Sequence, residues 1–160
     1  MNQHLHQAIT GLVEDHLTNG ETIRFRVTSN SMAPLIQRGD TIFVENVPPV
    51  AYRIGDVLVI RRERDYLTHR LIHKAEAEWL TKGDNTLHPD PPVAPEAIIG
   101  RVTRIQHEDS LLDLQTAQQR RFASLLARLS RLEWQAYCAS RFLRIPVRII
   151  IKGVQRIAKI

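Results

Sequence analysis

From Thr22 the hydrophobic pattern takes up a period of two. In "TIRFRVT", Ile23, Phe25 and Val27 alternate with Arg24, Arg26 and Thr28, the pattern of a strand with one buried face. "DTIFVE", "DVLVIRR", "DYLTHRLIH", "EWLTK" and "AIIGRVTRI" follow. Turn chemistry separates them at Arg38-Gly39-Asp40, Pro48-Pro49, Gly55-Asp56 and Gly83-Asp84-Asn85. Six short strands so closely spaced predict an all-β core. On either side the period is helical. Leu5, Ile9, Leu12, Val13 and Leu17 predict a helix over 2–18, and Asn19-Gly20 stops it. From Ser110 the pattern turns helical again. Phe122, Leu125, Leu126, Leu129, Leu132 and Ala136 make one apolar stripe, and Pro146 interrupts. Val147, Ile150, Ile151, Val154 and Ile157 make a second, opposite Arg148, Lys152, Arg156 and Lys159. The expected organisation is a short N-terminal helix over 1–20, a β domain over 21–108 and a basic helical tail over 109–160.

A chain of 160 residues can form one domain with a real core and an appendage. The single cysteine, Cys138, excludes a disulfide framework within a monomer and fits a reducing compartment. The first twenty residues lack the basic start and apolar run of a secretory signal. The longest apolar stretch, in "RIPVRIIIKGV", falls far short of the ~20 residues needed to span a bilayer. The expected location is the cytoplasm, either free or peripheral on the inner membrane face.

Charge divides the chain. Residues 1–109 hold 12 Lys/Arg and 15 Asp/Glu; residues 110–160 hold 10 and 2. The overall +5 is therefore a property of the tail. A basic tail on an acidic body calls for an anionic membrane surface or a partner protein, bound through residues 110–160. Nucleic acid is disfavoured, because the basic residues surround apolar stripes without a recognition motif. The competing expectation is that these helices pack on the β domain, on a partner chain or on each other.

Three segments could carry chemistry. "TSNSMAPLIQRGD", 28–40, sets Ser29 and Ser31 before Met32 and Pro34. In "DYLTHRLIH", alternation puts His69 on the face of Leu67 and Leu71, with Thr68, Arg70 and Ile72 opposite. "LHPDPPVAPEA", 87–97, contains four prolines and cannot be regular structure; it is either a stiff connector or a loop that holds Asp90 rigidly. A serine hydroxyl needs a base, and the base benefits from an orienting carboxylate. Ser31, His69 and either Asp90 or Asp84 supply those types. Spacing alone does not select them, and a half-buried histidine bonded to a backbone carbonyl is the plain alternative for His69. One cysteine and scattered histidines give no closed metal-ligand set, and no cofactor is called for.

The ordered motifs add to this reading. "SNSMAPLIQRGD" resembles the nucleophile segment of the type I signal peptidases, Ser-x-Ser-Met-x-Pro followed by Gly-Asp. "GDVLVI" resembles the next strand of that family. "THRLI" resembles the base segment of its endoplasmic-reticulum and archaeal type, where His-Arg replaces Lys-Arg. "LTKGDNTLHPD" resembles that type's last motif, and "IIGRV" the closing strand. The resemblance covers about 28–105, roughly half the chain. It implies Ser31 as nucleophile, His69 as general base, Asp90 as triad carboxylate and Asp84 as a second acidic position. Ser29 would join the Ser31 N–H in an oxyanion hole. The implied fold is a coiled antiparallel sheet like that of signal peptidase and the LexA-type repressors. The implied function is a serine endopeptidase that trims a leader or precursor peptide, bound as an added β-strand. Other expectations are a self-cleaving LexA-type regulator, a catalytically silent peptide-binding module and an adaptor that presents the tail. The regulator fits less well, because position 69 is His where that type uses Lys, and some twenty residues before the β core leave no room for a DNA-binding domain.

Overall fold

A computed structural model describes residues 20–62, 65–76, 78–139 and 144–157. The helix expected over 2–18 lies outside the described residues. The six expected strands are present as β1 (Ile23–Arg26), β2 (Thr41–Glu45), β3 (Val57–Arg61), β4 (Tyr66–Lys74), β5 (Trp79–Lys82) and β6 (Ile98–His107). They form one antiparallel sheet in the order β1-β2-β6-β3-β4-β5. The ten-residue β6 is the spine, since its first part pairs with β3 and most of its length with β2.

A seventh strand, β7 (Ser110–Asp113), turns back on β6. The helical reading of the tail from Ser110 is corrected here. Glu108 takes a positive φ of 50° and closes a tight hairpin, and Leu111 and Leu112 pair with Gln106 and Ile105. Helix α1 (Ala117–Ala139) begins later, where Thr116 Oγ1 accepts the Gln119 N–H at 3.3 Å and caps the first turn. Helix α2 (Arg144–Ile157) holds Pro146 in its first turn, where its missing N–H costs no helical bond. No helix among the described residues is long and apolar enough to cross a membrane.

The sheet coils, which gives it two cores. Val57 and Val59 of β3 join Met32, Ile36, Ile42, Val44, Val102 and Ile105 on one side. Leu58 and Ile60 join Tyr52, Leu71, Trp79 and Val93 on the other. β3 is therefore buried on both faces and reads as a continuous apolar run. Phe25 on the edge strand β1 meets Tyr66 on β4 edge-on at 5.4 Å, drawing two strands distant in the sheet order together.

Helix α1 packs against β4 and on α2. Its inward residues Leu126, Ala127, Ser130 and Glu133 are buried. Gly55 sits against its backbone with a φ of +106°. A Cβ there would lie 2.8 Å from the Ala123 carbonyl carbon, so only glycine permits this approach. The competing expectation for the tail, packing on the β domain, is thus met by α1.

Candidate active site

Ser31 stands in a compact turn between β1 and β2. The Asn30 carbonyl accepts the Ala33 N–H, the Met32 carbonyl accepts the Ile36 N–H, and Asn30 Oδ1 accepts the Arg38 N–H. Met32, Leu35 and Ile36 anchor the turn in the first core. The Ala33–Pro34 peptide is cis. Gly39, at a φ of +96°, makes the sharp corner before Asp40. Asp40 is itself buried and accepts from the Gln37 N–H and His107 Nδ1. The sequence motif thus folds into a braced loop that leaves the Ser31 side chain at the surface, 3.3 Å from the Ser29 hydroxyl.

His69 comes from the middle of β4, opposite Leu58 and 4% exposed. Its Nδ1 lies 2.6 Å from Asp90 Oδ2. The same carboxylate oxygen accepts the Thr81 hydroxyl at 2.7 Å. The other ring nitrogen, Nε2, is buried and has no hydrogen-bond partner. Such a nitrogen normally costs free energy, so its neighbourhood matters. A Cβ on Gly83 would lie 2.8 Å from Nε2 and 2.7 Å from the Ser31 carbonyl oxygen. The Ser31 backbone and the free face of His69 therefore border one small space, which only a glycine leaves open.

The proline-rich loop does hold something rigidly. Asp90 N–H donates to the Thr81 carbonyl, and Trp79 and Val93 exchange both backbone bonds. The loop is laced to β5 on both sides of the prolines at 91 and 92, which keeps the Asp90 carboxylate on His69.

Asp84 is placed differently. Its two oxygens accept from Arg70 Nε at 2.8 Å and Nη2 at 2.6 Å, a two-pronged ion pair buried on both sides. Arg70 Nη1 donates to the Gly55 carbonyl. The Asp84 N–H points at Met32 Sδ, and the Asn85 N–H donates to the Ser31 carbonyl at 2.8 Å. Asp84 thus ties its loop to the serine turn, whereas Asp90 faces the histidine.

The helices grip this same loop. Lys82, 1% exposed, pairs with Glu133 of α1 at 3.1 Å. Gln155 of α2 donates to the Asp84 carbonyl, and Lys152 donates to Asn85 Oδ1. Trp134 packs edge-on against His88. Segment 82–85 therefore touches the serine and histidine on one side and both helices on the other. Sequence reading passed over Thr81, Gly83 and Glu133 as site residues. Thr81 alone had a legible signal, lying on β5 directly opposite Leu71 in the strand that carries His69.

Beside Ser31 opens a cleft of about 150 Å³ between residues 27–29 and 65–68, floored by Met32, Ile36 and Val59. Among the described residues no cluster of metal-ligating side chains occurs.

The Peptidase S24-like family model matches residues 3–103. Signal peptidase complex catalytic subunit SEC11C of Homo sapiens is 38% identical over 76 residues, 43% of this chain and 40% of that protein. SEC11 of Debaryomyces hansenii is 38% identical over 81 residues, 46% of this chain and 48% of that protein. Sec11 of Neurospora crassa is 37% identical over 71 residues, 40% of this chain and 41% of that protein. The chain spans less than half the length of the curated relatives it matches.

Proposed function

Because the chain belongs to the Peptidase S24-like family, we propose that it is a serine endopeptidase cutting a leader or precursor peptide through Ser31, His69 and Asp90. The observation that carries this reading is the His69–Asp90 pair at 2.6 Å with Nε2 left unpartnered beside the Ser31 turn. A carboxylate at Nδ1 holds the proton there and leaves the lone pair on Nε2. Nε2 takes the proton of the Ser31 hydroxyl as Oγ attacks the peptide carbonyl. The oxyanion forms between the Ser31 N–H and the Ser29 hydroxyl, which already lies 3.3 Å from Ser31 Oγ. His69 then gives its proton to the leaving amine, and water releases the acyl group. The substrate lies as an extended strand in the cleft between 27–29 and 65–68, with a small side chain beside the cut. Asp84 supports the serine turn and is not the orienter, since Arg70 occupies both its oxygens.

The self-cleaving alternative with a lysine base is disfavoured by where the lysines are. Lys82 is committed to Glu133, and Lys74 donates to the carbonyls of Pro49 and Tyr52. The test is a diverse peptide pool incubated with the protein and read by mass spectrometry for new termini. Cuts after small residues are expected. A pool left intact at high enzyme concentration would favour the silent peptide-binding module.

A further inference from the structure

Packing of the tail on the β domain leaves a second question, because the packed face uses only part of the apolar stripe. Leu126 is buried against the sheet, but Leu125 is 42% and Leu132 52% exposed. With Arg121 and Arg128 they fall at positions i, i+4, i+7 and i+11 of α1, a single outward row reading Arg-Leu-Arg-Leu. On α2, Ile149 and Ile150 are 68% and 54% exposed.

The charge on this unit is one-sided. After Asp113 the sequence holds one carboxylate side chain, Glu133, against ten Lys and Arg. Glu133 is 2% exposed and paired with Lys82. The fold thus withdraws the helices' only acidic side chain from the surface and turns arginines outward. Arg120, Arg121 and Arg128 border a shallow open depression with Ser124 and Leu125, a chemistry suited to a phosphate group next to acyl chain.

We infer that the outer face of α1 docks on an anionic phospholipid bilayer. The helix lies in the headgroup plane with Leu125 and Leu132 inserted and the arginines on lipid phosphates. Basic charge alone would fit a nucleic acid equally well. The alternation of arginine with exposed leucine favours lipid, because a nucleic-acid backbone offers those leucines no apolar surface. This inference stands apart from the peptidase reading. It assigns the helical unit two faces, one clasping the loop at Gly83 and one meeting the membrane.

The test is co-sedimentation of the full chain with phosphatidylcholine vesicles and with mixed phosphatidylcholine/phosphatidylglycerol vesicles. Binding to the mixed vesicles only, weakened by salt, is expected. Arg121→Gln/Arg128→Gln should weaken it by roughly fivefold per arginine. Leu125→Gln/Leu132→Gln should also abolish stable binding, and both pairs are exposed, so the fold is kept. No binding, or equal binding to neutral vesicles, overturns the inference. So does binding to duplex DNA that outcompetes the vesicles and survives the leucine change. A soluble dimer, seen by light scattering and broken by the leucine change, would reassign the face to a second copy. Peptide cleavage is not read in any arm, so the outcome is independent of catalysis.

Discussion

The sharpest energetic prediction concerns Glu133→Leu. The substitution removes the carboxylate 3.1 Å from the Lys82 ammonium, in a place where the two side chains are 2% and 1% exposed. Lys82 then keeps the Gly83 carbonyl at 3.4 Å, a long contact. Breaking a buried pair by deleting one partner typically costs about 3–5 kcal/mol. Domains of this size are stable by only about 5–15 kcal/mol. The single variant should therefore lose about a fifth or more of its stability. Removing both charges, Lys82→Met/Glu133→Leu, leaves an apolar contact of similar volume, and such exchanges are often neutral or stabilising by about 1–4 kcal/mol. Urea unfolding followed by tryptophan fluorescence reads this directly, with Trp79 in the β core and Trp134 on α1 as reporters. An unchanged slope with a shifted midpoint would mark a change in stability alone. A single variant within about 1 kcal/mol of wild type would refute the buried pair. A double variant as unstable as the single one would refute the charge explanation.

Three further outcomes follow from the site. Gly83→Ala forces a methyl group against His69 Nε2 and the Ser31 carbonyl, and peptide turnover should fall on the order of 10²-fold, as for other ~1 Å misplacements. Asp90→Asn should drop kcat by on the order of 10⁴ with little change in melting temperature, whereas Asp84→Asn strands the buried Arg70 guanidinium and should lower the melting temperature first. Thr81→Val removes one hydroxyl from the Asp90 carboxylate and should cost about 1 kcal/mol in kcat/KM.

The strands and the loop motifs were legible because their determinants are local. Ile23, Phe25 and Val27 alternate, and Gly39 and Gly55 stand where the backbone takes a positive φ. The strand β7 was not, because "SLLDL" runs on into the helical stripe and its pairing depends on the Glu108 turn. Alternation put His69 and Arg70 on opposite faces of β4, but it could not say that both faces are covered. Arg70 and Ile72 are buried because α1, some fifty residues later in the chain, lies over them. Residue type and spacing left the two aspartates equivalent, and only the family resemblance ranked Asp90 as the triad carboxylate. Their partners separate them, and those partners are set by long-range packing: Arg70 for Asp84, and His69 with Thr81 for Asp90. Nothing local distinguishes Glu133 in the sequence, and only its burial against Lys82 gives it a role.

The helical unit changes how the site should be manipulated. Truncation before Ala117 would remove Glu133, Lys152 and Gln155 together and release the loop at Gly83. Loss of activity in such a truncated chain would therefore report on the loop as well as on any surface the helices present. Point changes on the outward row of α1 avoid that ambiguity.

The most direct measurement is the rate at which a peptide from the cleaved pool is cut by wild type and by Ser31→Ala, side by side at matched concentrations. Wild-type cleavage that falls by on the order of 10⁴ or more in Ser31→Ala is the predicted result. The same cuts at the same rate without the Ser31 hydroxyl would contradict the account.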